Sequence, residues 1–193
     1  MIKAIIFDCF GVLFRSSLDH IRSITPSERL EELEDYRIQH DRGYINQDNF
    51  LRHIADIIDW PVQKVKSYMR SEHILNDELV GCISELKKEY KIGLLTNVGQ
   101  GWLDEMFPAG MLENLFDSVV ESSTVGIVKP EPEIYQHSAR TLGLDTKECC
   151  FIDDSLRNVE GAKNVGMEVI LYTTNQSTIE RLNQLGVNSA RIT

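Results

Sequence analysis

The sequence predicts an α/β fold: a doubly wound, Rossmann-like parallel sheet with a small helical cap inserted after the first strand. Two observations predict it. Short apolar runs at residues 3–8, 92–97, 119–121, 149–154 and 168–172 are separated, from residue 76 onward, by helical patterns. Apolar strands alternating with helices imply parallel strands with helices packed on them. Between residues 15 and 77 that alternation stops, and only helix-forming segments are found.

The run Lys3-Ala4-Ile5-Ile6-Phe7-Asp8 reads as a buried strand that finishes on a carboxylate. In the inserted stretch, Thr25-Pro26-Ser27-Glu28 reads as a capping box with Pro at the first helical position. The helix that follows is expected to run to about Arg42, ahead of Gly43. Asn46 is expected to cap a second helix, in which Phe50, Leu51, Ile54, Ile57 and Ile58 recur at helical spacing. Pro61 can open a third, with Val62, Val65 and Tyr68 on one side.

After the insertion, Asn76 caps a helix carrying Leu79, Ile83, Leu86 and Tyr90. A second strand, Ile92 to Asn97, ends in polar residues. Short helices fall between Trp102 and Phe116. Val119-Val120-Glu121 is the third strand, and Ser122 to Lys129 a loop. Pro132 starts a helix to about Leu142. The fourth strand, Cys149 to Asp154, ends in two carboxylates. A helix from Leu156 to Val165 is closed by Gly166, a C′ glycine. Glu168 to Tyr172 is the fifth strand, and residues 178–185 form a last helix. The expected division is a core of residues 1–14 and 78–193 and a cap of residues 15–77. The chain has no repeat and no low-complexity segment.

Composition narrows the function. With 193 residues, 42% hydrophobic and 26% charged, the chain suits one sizeable domain or a core plus insertion. Its net charge of -10 argues against a nucleic-acid partner, which would need Lys and Arg to neutralise phosphates. No apolar run approaches the roughly 18 residues of a membrane helix, and the start lacks a signal-peptide pattern. The expectation is a cytoplasmic protein, a monomer or weak homodimer, without a membrane or nucleic-acid partner. The cysteines, Cys9, Cys82, Cys149 and Cys150, show neither CxxC nor zinc spacing, so reduced and mostly buried thiols are expected. The five histidines (His20, His40, His53, His73, His137) pair with nothing by spacing, and surface or helix positions are expected for them.

The chemistry lies at the strand ends. In open α/β sheets, ligands occupy the crevice beyond the carboxyl ends of the strands. Here those ends carry Asp8, then Thr96-Asn97, then the stretch Glu121 to Lys129, then Asp153-Asp154. Singly, each has an ordinary explanation. A lone acid after a strand is a turn former, Lys129-Pro130 is a solvated surface pair, and Asp-Asp suits a helix N-terminus. Together they describe one site. Three converging carboxylates would repel unless something positive sat among them. Mg²⁺, a hard oxygen-seeking ion usually shared with phosphate, meets that need. Lys129 offers a point charge for a phosphate oxygen, and Thr96 and Asn97 can hydrogen-bond the rest. Asp8 is then placed for in-line attack as a carboxylate nucleophile.

These segments resemble the four motifs of the haloacid dehalogenase-like hydrolase superfamily: Asp8-Cys9-Phe10-Gly11-Val12; Leu94-Leu95-Thr96-Asn97; Lys129-Pro130 with Pro132-Glu133-Ile134-Tyr135; and Phe151-Ile152-Asp153-Asp154 with Asn158, Gly161, Ala162 and Gly166. The stretch Arg42 to Phe50 resembles a cap hairpin of the subgroup with α-D-glucose-1-phosphate phosphatases and the amino-terminal phosphatase domain of soluble epoxide hydrolase. The resemblance implies a Mg²⁺-dependent phosphatase acting on a small phosphorylated metabolite, such as a sugar phosphate, through an aspartyl-phosphate. It implies Asp8 as nucleophile and metal ligand, the Phe10 carbonyl as a second ligand and Asp154 as a direct one. Asp153 would act through water or orient its neighbour. Thr96, Asn97 and Lys129 would hold the phosphate.

Position 10 departs from the pattern. Most such phosphatases carry a second Asp two residues after the nucleophile, as general acid and base; here it is Phe10, which has no proton to give. The glucose-1-phosphate subgroup also lacks that Asp. An aromatic there is shared with the superfamily's metal-independent 2-haloacid dehalogenases, the main alternative, beside a catalytically impaired binding protein. Asp153-Asp154 speaks against the dehalogenase, because two extra carboxylates would repel a carboxylate substrate. Arg15, Arg42, Tyr44 and Trp102 are candidate substrate contacts.

Overall fold

A computed structural model describes residues 1–187. At its centre is a five-stranded, all-parallel sheet built from β1 (Ala4–Phe7), β2 (Lys91–Thr96), β3 (Ser118–Glu121), β4 (Cys149–Asp153) and β5 (Glu168–Leu171), in the order β3-β2-β1-β4-β5. β1 is therefore central, flanked by β2 and β4. It is apolar throughout because both faces are covered: Ile5 and Phe7 join one core cluster, Ala4 and Ile6 the other. Helices α5 (Asp77–Leu86) and α11 (Asn175–Gln184) supply the first cluster. Helices α9 (Pro132–Thr141) and α10 (Leu156–Asn164) supply the second. The doubly wound α/β expectation holds.

The stretch between β1 and α5 is helical: α1 (Leu18–Ile24), α2 (Leu30–Asp41), α3 (Gln47–Ile57) and α4 (Val62–Ser71). Ile21, Leu33, Phe50, Leu51, Ile54, Val65 and Met69 pack in the same cluster as one sheet face. Its two connections run side by side, since Phe14 bridges Leu75 and the Asn76 N–H donates to the Leu13 carbonyl at 2.8 Å. The C-terminal end of α2 is tied to the strand-end loops. Ser122 Oγ donates to the Asp41 carbonyl (2.5 Å), and Arg42 donates to the Gly126 carbonyl (3.1 Å) and pairs with Glu131.

Several expected boundaries are met by the caps named for them. Asn46 accepts from the Asn49 N–H (2.9 Å) and Asn76 from the Leu79 N–H (3.2 Å). Others need correction. Thr25 makes no capping box: its hydroxyl donates back to the Ile21 carbonyl (2.8 Å), finishing α1, and Ser27–Arg29 is a single 3₁₀ turn before α2. The last helix starts at Asn175 rather than 178, because Thr174 and Ser177 cap it reciprocally. The loop after β3 opens with a helical turn, α8 (Ser122–Val125). Short helices α6 (Trp102–Met106) and α7 (Met111–Leu115) follow β2. No helix among the described residues is long and apolar enough to cross a membrane.

Candidate active site

Asp8 leaves the carboxyl end of β1 with its N–H still bonded to the Ile152 carbonyl (2.9 Å), so the ladder with β4 holds to the edge of the sheet. Extending the β1–β4 register by one step sets Asp8 beside Asp153. Between them lies the ammonium of Lys129, 2.6 Å from Asp8 Oδ1, 2.7 Å from Asp153 Oδ2 and 3.2 Å from the Leu95 carbonyl. Lys129 is only 5% exposed. Asn97 anchors the lysine's backbone: its Oδ1 accepts the Lys129 N–H (2.8 Å) and its Nδ2 donates to the Lys129 carbonyl (3.0 Å). Thr96, at the end of β2, is buried and its hydroxyl has no partner.

The two adjacent acids differ. Asp153 is fully buried, and both its oxygens are engaged: Oδ1 by the Ser155 N–H (2.8 Å), Oδ2 by Lys129, and both by Asn158 Nδ2 (3.0 and 3.1 Å). Asp154 is exposed and lies over Gly11, so close that a Cβ at position 11 would fall 2.0 Å from Asp154 Oδ2. Gly11, at φ +86°, is thus required both by its backbone and by its neighbour. One carboxylate oxygen from each of Asp8, Asp153 and Asp154 falls within a span of 4.8 Å. Phe10 lines the same crevice, half-buried.

The electrostatics follow from crowding. Burial pulls the Lys129 ammonium down, but Asp153 and Asp8 more than offset it, so it stays protonated. Burial raises the Asp8 carboxyl well above its usual range; Lys129 opposes this, while Asp153 and Asp154 add to it. Burial, then Asp153, push Asp154 up to about 6. One lysine does not compensate three carboxylates. The deficit and the all-oxygen donor set suit a hard divalent cation, which Asp8, Asp154 and, less directly, Asp153 could hold. Cys9 is buried, and burial pushes its thiol well above the usual range, which removes thiolate chemistry next to Asp8.

The crevice encloses about 280 Å³. Its floor includes Asp8, Phe10, Asn97, Lys129, Asp154, Ser155, Arg157 and Asn158; its roof comes from the inserted helices, through residues that include Arg22, Arg37, His40, Asp41, Phe50 and Met69. Of the candidate substrate contacts, Trp102 lines the crevice and is buried. Arg42 is committed to Gly126 and Glu131, Arg15 sits 3.6 Å from Glu72, and Tyr44 is exposed. Arg37, His40 and Asp41 also line the crevice, and nothing in their sequence spacing marks them as site residues. His40 lies on a helix as expected but is buried, its ring stacked on Phe50 with centroids 4.3 Å apart. Burial pushes its imidazole down to about 4, and pushes the Asp41 carboxyl up to about 6 against Arg37 and Lys129.

A chain with this sheet, this insertion and this strand-end cluster is similar to known hydrolases. The family described as "Hydrolase: haloacid dehalogenase-like hydrolase" matches residues 2–166, and the chain belongs to it. It is 28% identical to the sesquiterpene phosphatase astK of Aspergillus oryzae over 95% of this chain and 96% of that protein. It is 27% identical to bifunctional epoxide hydrolase 2 of Rattus norvegicus over 66% of this chain, which spans 24% of that longer protein. Among solved structures, a haloacid dehalogenase family enzyme of Bacteroides thetaiotaomicron, in complex with magnesium and inorganic phosphate, superposes with a TM-score of 0.71 at 23% identity, covering 91% of this chain and 96% of that one.

Proposed function

We propose that the protein is a Mg²⁺-dependent phosphatase that hydrolyses a small phosphorylated metabolite, a sugar phosphate or similar, through an aspartyl-phosphate on Asp8. The observation that carries this reading is the gathering of Asp8, Asp153 and Asp154 on the floor of a crevice, with one buried lysine between the first two. The similarity to astK and the magnesium and phosphate bound by the Bacteroides enzyme support it. Bound Mg²⁺ would neutralise the carboxylates and withdraw charge from the phosphoryl oxygens.

The protein's own groups then divide the work. Asp8, the backbone carbonyl of Phe10 and Asp154 would hold the ion. Asp153, saturated by Lys129, Ser155 and Asn158, is better suited to orient its surroundings than to bind directly. Lys129 would exchange part of its carboxylate pairing for a phosphate oxygen. The unpartnered Thr96 hydroxyl and the second amide hydrogen of Asn97 would take others. Asp8 attacks phosphorus, and water later cleaves the acyl-phosphate. Residues 15–77 would serve as the cap that covers the substrate, over a core of residues 1–14 and 78–193.

Release of phosphate from a panel of sugar, nucleoside and aryl phosphates, with and without Mg²⁺, tests the reading. The expected outcome is turnover that EDTA abolishes; silence across the panel would sink it. Phe10 favours one other reading, a metal-independent 2-haloacid dehalogenase, which would instead release halide from 2-chloropropionate in EDTA.

A further inference from the structure

We propose that Asp41, on the roof of the crevice, donates the proton to the leaving oxygen and later accepts one from the attacking water. The proposal rests on the phosphatase reading. It starts from a deficit on the floor. Phe10 carries no proton, Asn97 and Asn158 are neutral amides, all three Lys129 hydrogens are engaged, and Asp153 is saturated. Asp8 and Asp154 have the tasks assigned above. Two acids face the same space from the inserted helices. Asp19 is exposed on the rim and lies 3.4 Å from Arg22. Asp41 is 5% exposed and shut off from bulk water.

Asp41 is also held in place. Its Oδ2 accepts from Arg37 Nη1 (2.6 Å), while its Oδ1 is 3.9 Å from His40 Nδ1. Its backbone carbonyl accepts from Ser122 Oγ (2.5 Å), and that hydroxyl accepts from the Val98 N–H (3.0 Å), one residue beyond Asn97. The roof acid is therefore tied to the loop that carries the phosphate-binding amide. His40 forms the wall beside it. The ring is 3% exposed, edge-on to Trp102, and seated where a side chain at Gly99 would collide with it; its Nε2 has no partner.

The charged and titratable groups around Asp41 are Arg37, Glu34 and His40 on its own helix and Lys129 from the core; Phe50 and Ser122 are neutral. Their balance with burial leaves Asp41 near 6, so both protonation states are accessible close to neutrality, as acid-base exchange requires. Asp8 Oδ forms a bond to phosphorus as the bond from phosphorus to the leaving oxygen breaks. The electron pair of that bond stays on the leaving oxygen, which takes the Asp41 proton and departs as an alcohol. Water then attacks phosphorus, gives its proton to the Asp41 carboxylate, and displaces Asp8. Phosphate leaves and both carboxyl groups return to their starting states.

The test is the Mg²⁺-dependent kcat of wild type and Asp41→Asn on phosphates of rising leaving-group pKa, from p-nitrophenyl to alkyl. The expected result is a loss on alkyl phosphates of roughly a hundred- to ten-thousand-fold, a far smaller loss on p-nitrophenyl phosphate, and recovery of alkyl turnover when Phe10→Asp is added. An equal loss on every substrate, or none, overturns the proposal. So does a double variant that regains nothing. Should the variant not fold, wild-type pH profiles test the same role: alkyl turnover should decline above a pH of about 6 while p-nitrophenyl turnover does not, and parallel profiles overturn it. If wild type fails on p-nitrophenyl phosphate itself, the phosphatase reading falls, and this proposal with it.

Discussion

The floor and the roof of the crevice bury charge in different ways. On the floor, acids sit at the ends of neighbouring strands, and their spacing is set by the sheet: Asp8 and Asp153 are adjacent because β1 and β4 are paired. One lysine between them is the shared counter-charge. On the roof, Asp41 sits at the end of a helix, paired with Arg37 one turn earlier and tied to the core through Ser122. The floor is fixed by strand pairing and short of positive charge, which suits an incoming cation and phosphate. The roof is nearly balanced, which suits a group whose charge changes during turnover.

The largest effect should fall on the floor. Asp8→Asn removes the proposed nucleophile, and Mg²⁺-dependent phosphate release is expected to drop at least about a thousand-fold. Retained turnover would break the assignment. Lys129→Met comes next. It leaves two buried carboxylates without a cation, and urea unfolding should report a loss of about 3–5 kcal/mol.

The pH dependence of stability sharpens the contrast. His40 is neutral when folded down to about 4 but charges below about 6.5 when unfolded. The unfolded state thus binds more protons in that window, and acidification from about 6.5 to about 4 destabilises by roughly 3 kcal/mol. Asp41 has the opposite sign. Its folded carboxyl protonates near 6, above the unfolded value, so the same acidification stabilises the fold by a similar amount. The two neighbours cancel in wild type. Asp41→Asn should expose the His40 contribution, and denaturation between pH 6.5 and 4 should show stability falling faster than in wild type. An unchanged slope would contradict the described burial.

Two smaller effects complete the series. Gly11→Ala forces a left-handed backbone onto a residue with a Cβ and drives that Cβ into Asp154. It should cost about 1–2 kcal/mol in thermal unfolding and raise the Mg²⁺ concentration needed for activity by roughly ten- to a hundred-fold. Arg42→Ala breaks a half-exposed pair between roof and core, and should cost no more than about 1 kcal/mol by the same unfolding measurement.

The contrast also explains what could be read from sequence. Asp8, Thr96-Asn97, Lys129 and Asp153-Asp154 stand out because each follows an apolar strand or its loop, and strand order converts sequence position into proximity. Spacing alone does not divide Asp153 from Asp154; only the family resemblance does. Saturation of one depends on Asn158 and Lys129, and exposure of the other on Gly11. The roof was hidden for another reason. In α2 the buried residues are Leu33, His40 and Asp41, so its inward face has no apolar period to detect. What buries His40 and Asp41 is contact with Gly99, Trp102 and Ser122, all far away in sequence. Thr25 misled in a similar way: the hydroxyl that can cap forward found the Ile21 carbonyl behind it.

The phosphatase reading turns on whether Asp8 takes the phosphoryl group. Rapid quenching of the enzyme with Mg²⁺ and a turned-over aryl phosphate, followed by mass analysis of peptides, tests it directly. A phosphate adduct is expected on the peptide carrying Asp8, dependent on Mg²⁺ and absent from Asp8→Asn. A phosphate adduct on another residue, or a metal-independent ester on Asp8 formed from a 2-haloacid, would contradict it.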